Sequence, residues 1–431
     1  MVYQPVEVLR VQAWGKPVGA VAADPRSGAY VFEYEPSWTR ARVELAPSLM
    51  PTTNRSRIFT FPALSAETFR RLPPMLADSI PDGFGNAIID AYLAREGVAR
   101  DAVTALDRLA YVGDRGMGAL TFHPDTGRGA ADPTAVVMAD LVVAARAAIE
   151  GNLQGHQHTD VLNRLLTVGT SAGGARAKAV IAWDRSTGDM LAGNIAVPDR
   201  FERWLVKFDG VGADPQLGDS QQYGRIEYAY SLMARAAGID MAETFLLQEG
   251  GRAHFMTKRF DRAPDGTRTH MQSLCALGAL DFNQQATHDY ASYLLMCDNL
   301  GLGPAAREQA FRRMVFNIAA SNCDDHTKNF SFLMDPDGTW RLAPAYDITY
   351  AFNPDNQWLR QHLMSVGGKF TDIKRADLNR FGDQFEVPRY EQVTDQVLDA
   401  IANWPAYAHK AGVTKPHIRT IGRRIADVRP A

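Results

Sequence analysis

Cysteine is scarce: Cys275, Cys297 and Cys323 are the only three in 431 residues, too few and too scattered for a disulfide framework or a zinc cluster. Excess charge of one sign is lacking too. Lys and Arg number 46 against 49 Asp and Glu, a net of -3, so electrostatics give no reason to expect this chain itself to grip nucleic acid. No apolar run approaches the roughly 18 residues of a membrane-spanning helix. The opening MVYQPVEVLRVQAWGKPVGA has no basic segment followed by an apolar one, so no signal peptide is expected. Internal repeats and low-complexity tracts are absent from the sequence. These absences point to a cytoplasmic globular protein. Its 46% hydrophobic and 22% charged residues are ordinary for that class, and the length allows two or three domains.

The order of elements predicts an α+β protein of two lobes. VEVLRVQAW, KPVGAVAAD and GAYVFEYE alternate apolar and polar residues between turn residues, as strands do. SAETFRRLPPMLADSI, GNAIIDAYLAREG and DAVTALDRLAYVG read as short helices and GALTFHP as a strand. The turn-rich HPDTGRGAADPT predicts a boundary near residue 125, followed by a helix over 134–151. Strands are predicted at AKAVIAWD, FERWLVKFD and in the hairpin ETFLLQEGGRAHFMTKRFD, with a helix, RIEYAYSLMARAAGI, between the last two. From about residue 285 the chain reads as mostly helical. The expected divisions are a β-rich part over 1–125, a mixed region over 126–260 and a helical lobe over 261–431.

The densest chemistry lies in SNCDDHTKNFSFLMDPDGTWRLAPAYD, residues 321–347. Asp324 and Asn329 have the D-x-x-x-x-N spacing of the protein-kinase catalytic loop, where the aspartate accepts the substrate hydroxyl proton and the asparagine holds Mg²⁺. Alone, that spacing is common in loops. Here NFSFLMD and TWRLAPAYD form a hairpin through PDG, and Asp347 closes the second strand, able to return to the edge that carries Asn329. Together they would offer a hard cation its oxygen ligands. His326 is read as orienting the loop, and Lys328 as a phosphate contact or a solvated cation. In WLVKF, Lys207 shares a strand face with Leu205 while Trp204 and Val206 take the other. A buried ammonium needs an anion, which ATP phosphates and Glu227, the only acid of the following helix, could supply. Gly173, Gly174 and Ala175 in TSAGGARAK would let backbone N–H groups approach phosphates, although the segment matches neither standard nucleotide loop. Lys258 and Phe260 in MTKRFDR stand where a kinase keeps its adenine-contacting hinge. GHQHTD, with His156 and His158, reads as a loop, and the tail RTIGRRIADVRP as a solvated basic helix face.

SAGGARAK, WLVKF, RFDR, NCDDHTKN and LAPAYDI, in that order, resemble the HipA family of serine/threonine kinases, the toxin half of bacterial toxin–antitoxin pairs. GKPVG, FEYEPSW, ADSIPDGFGN and GDRGMGALTF extend the resemblance through the first part, so it spans nearly the whole chain. It implies Asp324 as general base, Asn329 and Asp347 as Mg²⁺ ligands, Lys207 at the ATP phosphates and Ser171 as an autophosphorylated residue. It also implies a small helix-turn-helix, HipB-like antitoxin as partner, DNA contact only through that antitoxin, and an aminoacyl-tRNA synthetase as substrate. Lys258 departs from the pattern, since some members carry an acid there. Two other readings stay open on sequence: a small-molecule kinase of similar design, and a catalytically silent corepressor.

Overall fold

A computed structural model describes residues 3–81, 83–95, 97–127, 138, 140, 141, 145, 176–193, 197–209, 222–249 and 251–430. The chain divides into two compact units. One is Met1–Gly212 with Lys258–Gln272 and Leu333–Thr339, the other Ala213–Thr257 with Ser273–Phe332 and Trp340–Ala431.

The first unit opens with strands β1 (Val8–Ala13), β2 (Lys16–Ala23), β3 (Tyr30–Tyr34), β4 (Ile58–Thr60) and β5 (Leu120–His123). They form one antiparallel sheet in the order β4-β3-β2-β1-β5. The period-two pattern sets its buried face: Leu9, Val11 and Ala13 are buried, and the register sets Val11 opposite Phe122 and Leu9 opposite Val21. Gly19 is required where β2 and β3 meet, because a Cβ there would lie 2.2 Å from the Glu33 carbonyl oxygen. SAETFRRLPPMLADSI forms two short helices, Ala66–Phe69 and Pro74–Ala77, rather than a single one. Arg70 and Arg71 take left-handed backbone angles, φ 50° and 60°, and the prolines after them cannot continue a hydrogen-bonded helix. The helix Ala105–Val112 starts at a capping box in which the Thr104 hydroxyl accepts from Asp107 N and the Asp107 side chain accepts from Thr104 N.

Further along the same unit, β6 (Lys178–Trp183) pairs antiparallel with β7 (Met190–Ala192) and with β8 (Glu202–Lys207). The RFDR segment folds back on the first sheet. Asp261, fully buried, receives Arg259 Nη2 and Arg262 Nη1, each at 2.7 Å, and the Gly118 N–H at 2.8 Å. Arg262 also donates to the Gly118 carbonyl at 2.9 Å. Burial alone would raise the Asp261 carboxyl, but the two guanidiniums outweigh it and hold it well below the usual carboxylate range. Gly118 sits at φ 75°, where a Cβ would meet the Met271 backbone N at 2.9 Å, which accounts for the glycine in GDRGMG.

The second unit is helical around an antiparallel hairpin, β9 (Thr244–Glu249) with β10 (Arg252–Lys258, whose last residue belongs to the first unit). Helices Tyr223–Ala236, Gly303–Ala319, Tyr390–Ala402, Trp404–Lys410 and Lys415–Val428 enclose one core. Tyr230 lies at its centre. Its ring meets Trp404 at 5.3 Å and Phe316 at 6.2 Å, and its hydroxyl donates to the Ala320 carbonyl at 2.7 Å. The tail is not simply a solvated face: Ile418, Ile421 and Ile425 are buried along one side of Lys415–Val428, the spacing of an amphipathic helix. Among the described residues no helix is long and apolar enough to cross a membrane.

Candidate active site

The site begins where the helix Gly303–Ala319 ends. Ser321 turns the chain at φ 53°, and the next residues pair with the stretch after the hairpin: Cys323 N donates to the Ala351 carbonyl at 3.0 Å, and Ala351 N to the Ser321 carbonyl at 3.1 Å. These bonds tie the loop carrying Asp324 to the segment carrying Asp347. A 3-10 turn, Thr327–Asn329, follows, with Asn329 N donating to the His326 carbonyl at 2.9 Å. The strands Ser331–Met334 and Trp340–Leu342 are neighbours in one sheet. Tyr346 then reaches back, its hydroxyl donating to the Lys328 carbonyl at 2.7 Å.

Asn329 Nδ2 donates to the Asp324 main-chain carbonyl at 2.7 Å. An amide that faces a carbonyl must present its NH₂ group, so Oδ1 is left as the acceptor on its other branch. Asn329 and Asp347 line the same narrow cleft, with Asn322 and Tyr346 beside them. Asp347 holds φ 52°, a left-handed conformation that Asp and Asn tolerate better than most residues. An amide oxygen and a carboxylate suit Mg²⁺, which commonly takes one or two carboxylates and fills its other positions with water and phosphate. Among the described residues no group of three or more His, Cys, Asp or Glu could hold a metal.

The Asp324 side chain is 38% exposed, with His326 Nε2 3.8 Å from Oδ1. The His326 ring tilts against the Phe282 ring at 5.4 Å, and the Lys328 ammonium lies 4.6 Å from the centre of the Phe282 ring, a cation–π contact.

Directly after the exposed Asp324 comes a fully buried acid. Asp325 Oδ1 accepts the Leu363 N–H at 2.7 Å, and Oδ2 takes His362 Nδ1 at 2.8 Å and the Tyr290 hydroxyl at 2.7 Å. Asn317 Nδ2 donates to the Tyr290 oxygen at 3.0 Å and Asn322 Nδ2 to Asn317 Oδ1 at 3.0 Å, which carries the network to the cleft. Burial works against a charged His362, yet Cys323 and Asp325 beside it prevail, and the imidazole is held well above its ordinary range. Burial and Asp325 push the Tyr290 phenol up, so it stays a donor. Nothing local in sequence joins residue 325 to residues 290, 317 and 362, and only the doublet Asp324–Asp325 hinted at a second acid.

The other expected residues fall as follows. Glu227 is buried in the second unit, on the helix Tyr223–Ala236. Lys207, Lys258 and Phe260 belong to the first unit. Lys207 alternates with Trp204 and Val206 on β8 as expected, but the buried positions are Trp204 and Val206 and the lysine is half-buried rather than on an inward face. Its register partner on β6 is Lys178, only 2% exposed, a lysine that the sequence reading left unassigned at the end of TSAGGARAK. The Lys258 ammonium pairs with the Glu202 carboxylate. Ser171, Gly173, Gly174, Ala175 and the His156/His158 loop lie outside the described residues, as does nearly all of the helix expected over 134–151.

A mixed chain with a β-rich beginning, a helical end and a D-x-x-x-x-N loop closed onto a hairpin aspartate is kinase-like. The model of the HipA-like C-terminal domain matches residues 170–405 and that of the HipA N-terminal domain residues 9–123. The chain belongs to the HipA family. Its fold is shared with HipA of Shewanella oneidensis MR-1, solved with HipB and operator DNA, at TM-score 0.65 over 97% of this chain and 95% of that one, with 14% identity. A Sinorhizobium fredii protein named "Putative kinase Y4mE" is 28% identical over 206 residues, 46% of this chain. The matched part spans 42% of that relative's length.

Proposed function

We propose that the chain is an ATP-dependent serine/threonine protein kinase of the HipA toxin type. The observation that carries this reading is the exposed Asp324 carboxylate on a loop whose backbone is held by Asn329 and tied to the Asp347 segment. Asp324 takes the proton of the substrate hydroxyl as that oxygen bonds to the γ-phosphorus of ATP and ADP leaves. Asn329 and Asp347 hold Mg²⁺, which when bound neutralises charge on the phosphate oxygens. Lys207 and the Gly173–Ala175 stretch serve the nucleotide phosphates, and Ser171 is an intramolecular acceptor. Protein kinases of this design act mainly by positioning and electrostatic stabilisation, which suits a site so heavily braced from behind. A small HipB-like antitoxin is the proposed partner and neutralises the chain. An aminoacyl-tRNA synthetase is the proposed target, whose modification would halt growth.

The test is phosphate transfer from labelled ATP by wild type and Asp324→Asn. Loss of general-base catalysis is worth about 10²–10⁴-fold, so turnover should fall by that range while ATP binding persists. Mass spectrometry of the same samples should find phosphate on Ser171 in the wild type alone. Equal activity in the two proteins would overturn the assignment.

A further inference from the structure

Far along the chain from the catalytic loop, the first unit holds a cavity of about 750 Å³. Pockets that take small molecules usually measure about 300–1,000 Å³. Four arginines line this one, Arg70, Arg71, Arg100 and Arg108, against two carboxylates, Asp90 and Asp101, a surplus of two positive charges. The surplus is held in place by other residues. Arg108, 7% exposed, donates from Nη2 to Asp90 Oδ1 at 2.7 Å and from Nη1 to Asn86 Oδ1 at 3.0 Å. Arg100 Nε reaches the other Asp90 oxygen at 3.0 Å. Asp90 is therefore shared between two guanidiniums and neutralises at most one.

Arg70 and Arg71 also line the cavity. Both adopt the left-handed backbone, which for residues other than glycine costs conformational energy and often marks a working site. Arg71 Nη1 donates to the Gly28 carbonyl at 3.3 Å. The Arg70 guanidinium makes no hydrogen bond or ion pair to a described residue; partial desolvation and repulsion from Arg108 lower its pKa against the attraction of Asp90. Arg70, Arg71 and Arg100 are exposed around this opening, so an anion from solvent can reach their guanidiniums, and one seated among them would relieve their mutual repulsion. The Tyr30 hydroxyl also lines the wall.

We propose that this cavity binds a small organic phosphate, its phosphate group seated between Arg70, Arg100 and Arg108. A phosphate monoester carries about -1.5 to -2 charges near neutral pH, which matches the surplus, and its oxygens can accept from several guanidiniums at once. The remaining volume and the Tyr30 hydroxyl suit a polar body attached to the phosphate.

The experiment is calorimetric titration of the full chain, in EDTA to silence metal-dependent nucleotide binding, with inorganic phosphate and with glycerol 3-phosphate. Saturable binding of glycerol 3-phosphate is expected, weakened about tenfold or more by Arg70→Gln or Arg100→Gln, since each removes a charge-assisted hydrogen bond. Both side chains lie outside the core, so the variants should fold. Asp347→Asn should leave the binding unchanged. Absence of saturable heat with both probes at millimolar concentration would overturn the proposal. So would equal affinity in Arg70→Gln, or binding lost in Asp347→Asn but kept in the arginine variants. A phosphoserine peptide that binds where glycerol 3-phosphate does not would overturn the small-molecule assignment.

Discussion

Asp325→Asn tests how far the loop that carries Asp324 depends on the buried network behind it. In the wild type three donors converge on the carboxylate: Leu363 N–H on Oδ1, and His362 Nδ1 and the Tyr290 hydroxyl on Oδ2. An amide has a single acceptor oxygen. If that oxygen keeps the two donors on the Oδ2 side, the NH₂ group faces the Leu363 N–H, donor against donor. A buried donor left unsatisfied costs about 1–3 kcal/mol. The substitution also leaves His362 without its anion, and breaking a buried ion pair costs roughly 3–5 kcal/mol. The expected loss is about 3–5 kcal/mol in denaturant titrations. The pH dependence is a second readout. His362 is raised in the folded state, so the stability it contributes is fully present below the unfolded imidazole pKa of about 6.5 and is lost as pH rises through its folded value. Wild type should therefore weaken as pH climbs above about 6.5, and Asp325→Asn should weaken less. Turnover should fall as well, because Asp324 is the adjoining residue. A variant within about 1 kcal/mol of wild type, a typical cost of ordinary substitutions, with the same slope above neutral pH would refute the reasoning.

Asp347→Asn keeps a residue that tolerates the left-handed backbone, so it should fold and yet bind Mg²⁺–ATP much more weakly in calorimetry; unchanged affinity would move the metal elsewhere. Asp261→Asn should destabilise the first unit by roughly 3–5 kcal/mol, because two buried guanidiniums lose their counter-charge; thermal unfolding measures it, and a shift near zero would show that the pair contributes no net stability. Operator DNA should bind only when the small antitoxin is present, as the chain's net charge of -3 gives no overall attraction to a phosphate backbone; specific binding by the chain alone in a gel-shift assay at moderate salt would contradict this.

Local pattern alone determined the β-rich opening and the hairpin after the Asp324 loop, and it nominated Asp324, Asn329 and Asp347 as candidates, because strand alternation, turn residues and the D-x-x-x-x-N spacing are short-range signals. Propensity misled where two prolines and two left-handed arginines broke the helix expected over SAETFRRLPPMLADSI, and where apolar spacing in the tail turned a basic face into a half-buried one. Only the tertiary structure decided what braces the site. Asp325 meets His362, 37 residues on, and Tyr290, 35 residues back, and the arginine-lined cavity gathers side chains from positions 30 to 108. A buried charge is tolerated only where distant donors or counter-charges reach it, and which distant residues do so is a property of the packed chain rather than of any stretch of it.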